Sequence, residues 1–120
     1  LISLLNRDYG SRYNIAIAPG PMEIDNARSF KANIILNKSL PLNIIELISL
    51  ISGSSYVISN DTGPAHICAH LNKKGLVLFG SHTSPEKVSI ETENFKSIKV
   101  KNLRDLTVGD VFEKVKENLN

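Results

Sequence analysis

Six consecutive residues, Asp61-Thr62-Gly63-Pro64-Ala65-His66, put a carboxylate, a hydroxyl, two backbone-shaping residues and an imidazole within one short segment. The run Tyr56-Val57-Ile58 before it is β-branched and aromatic and reads as a buried strand. Ile67-Cys68-Ala69-His70-Leu71 after it continues as an apolar helix, and Gly75 to Gly80 reads as a second strand. The segment therefore falls on a strand-to-helix turn between two parallel strands, where open α/β sheets bind ligands. Gly63 permits close backbone approach or positive φ, and Pro64 suits the first helical position because it needs no N–H partner. The free amides of Ala65 and His66 are then expected to point outward with the positive end of the helix dipole behind them, a seat for an anion.

The elements that must position this turn follow from the rest of the chain. Residues 1–8 read as the end of a helix, with Leu1, Ile2, Leu4 and Leu5 on one face. Tyr13 to Ala18 alternates as a strand and is broken by Pro19-Gly20-Pro21. Glu23 to Phe30 can form a short helix with carboxylates in its first turn, and Asn33 to Leu36 a short strand. Ile44, Ile45, Leu47, Ile48 and Ile51 follow the helical repeat between Pro41 and the stop at Gly53. Ser81 to Asn94 reads as loop and Lys96 to Val100 as an edge strand. Thr107 to Asp110 has capping-box spacing and opens a helix with Val108, Val111, Phe112, Val115 and Leu119 on one face. Repeated strand-helix units with right-handed crossovers predict an α/β fold, a Rossmann-like parallel sheet with helices on both faces.

Bulk properties narrow the function. The 120 residues suit one domain, residues 1–120, and 42% hydrophobic content supplies a core. The formal charge of +2 comes with most lysines after Asn72, but no basic cluster is interleaved with aromatics, so no nucleic-acid partner is expected. No apolar run reaches membrane-spanning length. The one cysteine, Cys68, excludes an internal disulfide or a cysteine zinc cluster and reads as a small core residue in a reducing compartment. No paired-carboxylate metal motif is present, so neither a cofactor nor an obligatory protein-bound metal is expected. Leu1 stands where a start methionine would, and the apolar opening suggests a piece of a longer protein.

Asp-Thr-Gly is also the catalytic turn of aspartic proteases, but there it lies in an all-β fold. Here at least three helical segments surround it, and a proline and a helix follow. The fuller pattern, Ile58 to His66 with Leu76-Val77-Leu78-Phe79-Gly80, resembles family nine of the glycosyltransferases, the lipopolysaccharide heptosyltransferases of GT-B fold. Pro19-Gly20-Pro21-Met22-Glu23 is similar to that family's Gly-Gly-Pro-x-Glu turn, Thr83-Ser84-Pro85-Glu86 to its Thr-x-Pro loop, and Leu106 to Val111 to the start of its closing helix.

The resemblance implies a role for each matching residue. Thr62 and Gly63, with the helix N-terminus, would hold the diphosphate of a nucleotide sugar and stabilise it as it leaves. Asp61 would accept hydrogen bonds from sugar hydroxyls, or else cap its own turn. Pro64, Ala65 and His66 would complete the donor seat, His66 either donating to phosphate or packing on the turn. Glu23, beside Gly20, would take both ribose hydroxyls, or serve only as a helix N-terminal charge. The segment Leu40 to Asn43, with Leu42 at its centre, would lie against the base.

The chain departs from the family at His70, where small apolar residues are usual, and at Ser81-His82, where its loop is one residue longer. The family's first strand, its basic phosphate-binding residue and the N-terminal acceptor domain with the general base are expected upstream of Leu1, so no catalytic residue is assigned here. The implied whole is an inverting enzyme moving a heptose from an ADP-sugar to a lipid-linked saccharide acceptor, cytoplasmic at the inner face of the inner membrane as a peripheral protein. Two other readings stand beside it: a nucleotide-binding module without transfer, and another nucleotide-sugar enzyme of this architecture such as an epimerase.

Overall fold

The computed structural model describes residues 1–60, 63–79, 95–99 and 106–119. The chain divides into two compact units, Leu1–Leu47 and Ile48–Asn120. Both are α/β with parallel strands, as the sequence predicts.

In the first unit, helix α1 (Ile2–Tyr9) precedes strand β1 (Ala16–Ile17), helix α2 (Ile24–Ala27) and strand β2 (Asn33–Ile34). β1 and β2 pair in parallel, Ala16 opposite Asn33 and Ile17 opposite Ile34. Both strands are shorter than their sequence patterns, and α2 covers only the centre of the expected Glu23–Phe30 helix. Tyr9 and Ala27 form the buried core of this unit. The Arg12 guanidinium lies 5.2 Å from the Tyr9 ring centre and 5.9 Å from that of Tyr13, a cation–π arrangement that covers the tyrosine faces while leaving the charge wet. Asn6 Nδ2 donates to the Lys31 carbonyl at 2.8 Å and ties α1 to the entry of β2.

Helix α3 (Ile44–Ser52) crosses from the first unit into the second. Six of its nine residues are Ile or Leu, more than one helical stripe. Of the five positions expected on its inner face only Ile51 is buried, while Ile44, Ile45 and Ile48 are exposed.

The second unit holds strand β3 (Val57–Asn60), helix α4 (Gly63–His70), strands β4 (Gly75–Phe79) and β5 (Phe95–Lys99), and helix α5 (Val108–Leu119). The strands form one parallel sheet in the order β3-β4-β5. The middle strand is apolar throughout, and Leu76, Val77 and Phe79 are completely buried, as a strand covered on both faces requires. The register sets Gly75 between Val57 and Phe95. A side chain on Gly75 would collide with the Val57 carbonyl oxygen and approach the Phe95 ring to 2.9 Å. Glycine is thus what lets the three strands start level.

α5 begins with the expected cap: the Asp110 amide donates to Thr107 Oγ1 at 3.1 Å. Val111, Phe112 and Val115 face the core; Val108, expected with them, is half exposed because it is the first residue of the helix and precedes the packed turn. Asn118 Nδ2 donates to the Tyr56 hydroxyl at 2.9 Å and pins the end of α5 to the entry of β3. Among the described residues no helix is long and apolar enough to cross a membrane.

Candidate functional site

The candidate residues fall at carboxyl ends of parallel strands in each unit. In the first unit, β1 ends at Ile17 and leads into Pro19 and Gly20. The Glu23 amide donates to the Gly20 carbonyl at 3.1 Å, closing the turn Gly20-Pro21-Met22-Glu23. Glu23 occupies the N-cap position of α2, outside the helix, and its side chain makes no capping hydrogen bond. Its carboxylate instead lies over Gly20, where a Cβ would come within 2.9 Å of Oε1. The carboxylate is exposed, so its acceptor atoms are open to a ligand.

β2 ends beside β1 and leads to Leu42 through a tight hairpin. Asn37 N donates to Leu40 O at 2.8 Å and Leu40 N to Asn37 O at 2.9 Å. The two central residues, Lys38 and Ser39, have φ of 50° and 71°, the left-handed pair of a type I′ turn that Asn-Gly normally fills. Half-buried Leu42 then meets a reciprocal capping box. Asn43 N donates to Glu46 Oε1 at 2.9 Å and Glu46 N donates to Asn43 Oδ1 at 2.8 Å. Sequence reasoning passed over this box, although Asn-x-x-Glu before an apolar run is its ordinary signature. It anchors the segment expected against a base, and Gly20, Glu23 and Leu42 all follow the same end of the β1-β2 pair.

In the second unit, β3 ends at Asn60 and α4 begins at Gly63. Asp61 and Thr62, the centre of the motif, lie outside the described residues, as do Gly80, the Ser81-His82 loop and Thr83 to Glu86. Gly63 is the first helical residue and Pro64 the second, one position later than the sequence predicts; proline fits there too, because the second helical amide also lacks an intrahelical acceptor. No glycine among the described residues has positive φ, so the left-handed turn that the sequence allowed at Gly63 is not formed. A side chain there would meet no atom of the described residues within 4 Å.

Ala65 is completely buried. α4 packs this face inward together with Cys68, while the Ala65 amide, in the first helical turn, is one of those that have no intrahelical acceptor. Pro64 has no N–H, so the helical amides left without an intrahelical acceptor at this end are those of Gly63 and Ala65. The His66 side chain is exposed on the same side of the helix as Gly63. Burial pushes the Cys68 thiol up to about 11, against a smaller opposing pull from Lys73, which keeps it a neutral core residue.

The glycosyltransferase family 9 (heptosyltransferase) model matches residues 25–115. That span takes in Leu42 and Asp61 to His66 and begins two residues after Glu23. A structure of E. coli heptosyltransferase WaaC with ADP matches with a TM-score of 0.74 at 23% identity. One of E. coli WaaC with ADP-2-deoxy-2-fluoro heptose matches with a TM-score of 0.77 at 24% identity. Each match covers 98% of this chain, and the chain spans 36% of the WaaC chain. No curated protein matches it in sequence. At this identity the likeness establishes the fold.

Proposed function

The chain belongs to glycosyltransferase family 9, the heptosyltransferase family, and from that premise we propose that residues 1–120 act as one donor-binding domain within a longer inverting transferase. The donor is an ADP-heptose, and the acceptor is the lipopolysaccharide core, reached at the inner face of the inner membrane. The observation that carries this reading is the β3–α4 junction. There a parallel strand ends at Asn60 and a helix opens at Gly63-Pro64, and no described atom outside the glycine's own surroundings would lie within 4 Å of a side chain on Gly63. Such a junction meets phosphate oxygens with bare amides and the positive end of a helix dipole.

In this reading Thr62 and the Gly63 and Ala65 amides hold the diphosphate, with Pro64 shaping the helix start and His66 beside it. Asp61 accepts from sugar hydroxyls, the Glu23 carboxylate above Gly20 takes the ribose diol, and Leu42 lies against the base. A base outside this chain deprotonates the acceptor hydroxyl, whose oxygen attacks the anomeric carbon. The bond to the diphosphate breaks on the opposite face, and ADP leaves into a site that already stabilises its charge. This segment alone binds donor and does not turn it over.

Titration of ADP, UDP and GDP into the protein, followed by amide shifts, tests the reading. Shifts centred on Gly20–Glu23 and Gly63–His66, strongest for ADP and lost in Asp61→Ala with Thr62→Val, are expected. Preference for UDP would change the donor, and absence of nucleotide binding in the intact protein would overturn the proposal.

A further inference from the structure

α4 carries two histidines, and one of them, His70, has no part in the core or in the donor reading. Both side chains are exposed, while Ala65 and Cys68 on the other side of the helix are completely buried. Four residues apart in one unbroken helix, they are separated by about 40° around the axis and about 6 Å along it. This is the spacing at which side chains on neighbouring turns meet, and at which paired helical histidines share one metal ion.

We propose that His66 and His70 form a two-imidazole site for a late-transition divalent cation such as Zn²⁺, Ni²⁺ or Cu²⁺. One ring nitrogen of each histidine donates its lone pair, and water fills the remaining positions. Cys68 lies between them in sequence but on the buried face, where it takes no part in ligation. No cluster of three or more His, Cys, Asp or Glu ligands occurs among the described residues, which makes this a two-ligand, solvent-completed site. Imidazole nitrogen selects for these cations over Mg²⁺ and Ca²⁺, which take oxygen donors. The inference stands on the geometry of α4 and does not depend on the donor reading.

Calorimetric titration of Zn²⁺ into untagged, chelator-treated intact protein tests it, with far-UV circular dichroism reporting the fold of each variant. His70→Gln is expected to weaken the α4 site roughly tenfold or more by removing one of two protein ligands, with ADP affinity measured in chelator unchanged. Cys68→Ala is expected to bind Zn²⁺ as the parent does, and millimolar Mg²⁺ to leave the isotherm unmoved. Equal Zn²⁺ affinity in the parent, His66→Gln and His70→Gln proteins would overturn the site. So would a loss confined to Cys68→Ala.

Discussion

The Glu23 carboxylate rests over the bare Cα of Gly20, three residues earlier in the same turn, with Oε1 2.9 Å from where a Cβ would stand. The Glu23 amide closes that turn onto the Gly20 carbonyl. One residue thus supplies the acceptor and the other supplies the room for it. Gly20→Ala is expected to displace the carboxylate while sparing the fold, because the collision is with the far end of a flexible side chain. If Glu23 holds the ribose, ADP affinity falls roughly fivefold, a partial loss of charge-assisted hydrogen bonds, and further in Glu23→Gln. Calorimetry on the intact protein gives the answer: wild-type affinity in both variants would remove Glu23 from the donor site.

The Asn43–Glu46 box stands directly after Leu42 and satisfies two amides at the start of α3. Asn43→Ala is expected to cost about 1 kcal/mol in urea unfolding. Glu46→Ala costs less, because only the returning hydrogen bond is lost. The two bonds form one reciprocal motif, so the double variant should fall short of the sum of the singles. Strict additivity would mean that the two hydrogen bonds act independently.

How far these features are legible in the sequence depends on what each one rests on. The apolar run of β4 and the Thr107–Asp110 cap of α5 are local chemistry, and they lie where the pattern puts them. The helix start at Gly63-Pro64 is legible to within one residue for the same reason, the helix opening on the glycine and not on the proline. The Tyr13–Ala18 alternation overstates β1, because the ladder exists only where β2 offers partners, at Ala16 and Ile17. The α3 repeat likewise says that the helix is apolar and not which side is covered; Ile45 is exposed while Ile51 is buried. Burial of Ala65 depends on tertiary packing that no six-residue motif records. The Gly20–Glu23 contact is a matter of side-chain direction, which spacing alone does not contain.

Among the described glycines of the second unit, Gly75 should be the least tolerant. A methyl group there meets the Val57 backbone oxygen, which can retreat only by opening the β3–β4 ladder, and the fully buried Phe95 ring. Gly75→Ala is expected to cost about 2–3 kcal/mol, the range for overpacking a well-filled core. The paired variant Gly75→Ala with Phe95→Leu should recover only the ring's share. Chemical denaturation of the three proteins separates the two clashes, and an unperturbed midpoint in Gly75→Ala would show that the strands do not start level.

Cys68 provides a pH signature. Its thiol is pushed up to about 11 from an ordinary 9.0 because burial disfavours the thiolate. The raised value belongs to the folded state, so the unfolded chain releases this proton first as pH rises. The contribution is therefore fully present below pH 9.0 and is lost progressively toward pH 11. Stability of the parent should fall across that window more steeply than that of Cys68→Ala, whose difference from the parent isolates this thiol from every other titrating group. The same shift lowers the native thiolate fraction at pH 8 about a hundredfold, so disulfide reagents should label Cys68 only as denaturant is added. Rapid labelling in the native state would place the thiol in contact with solvent and end the account of α4 as a helix with one face packed and the other, bearing His66 and His70, open.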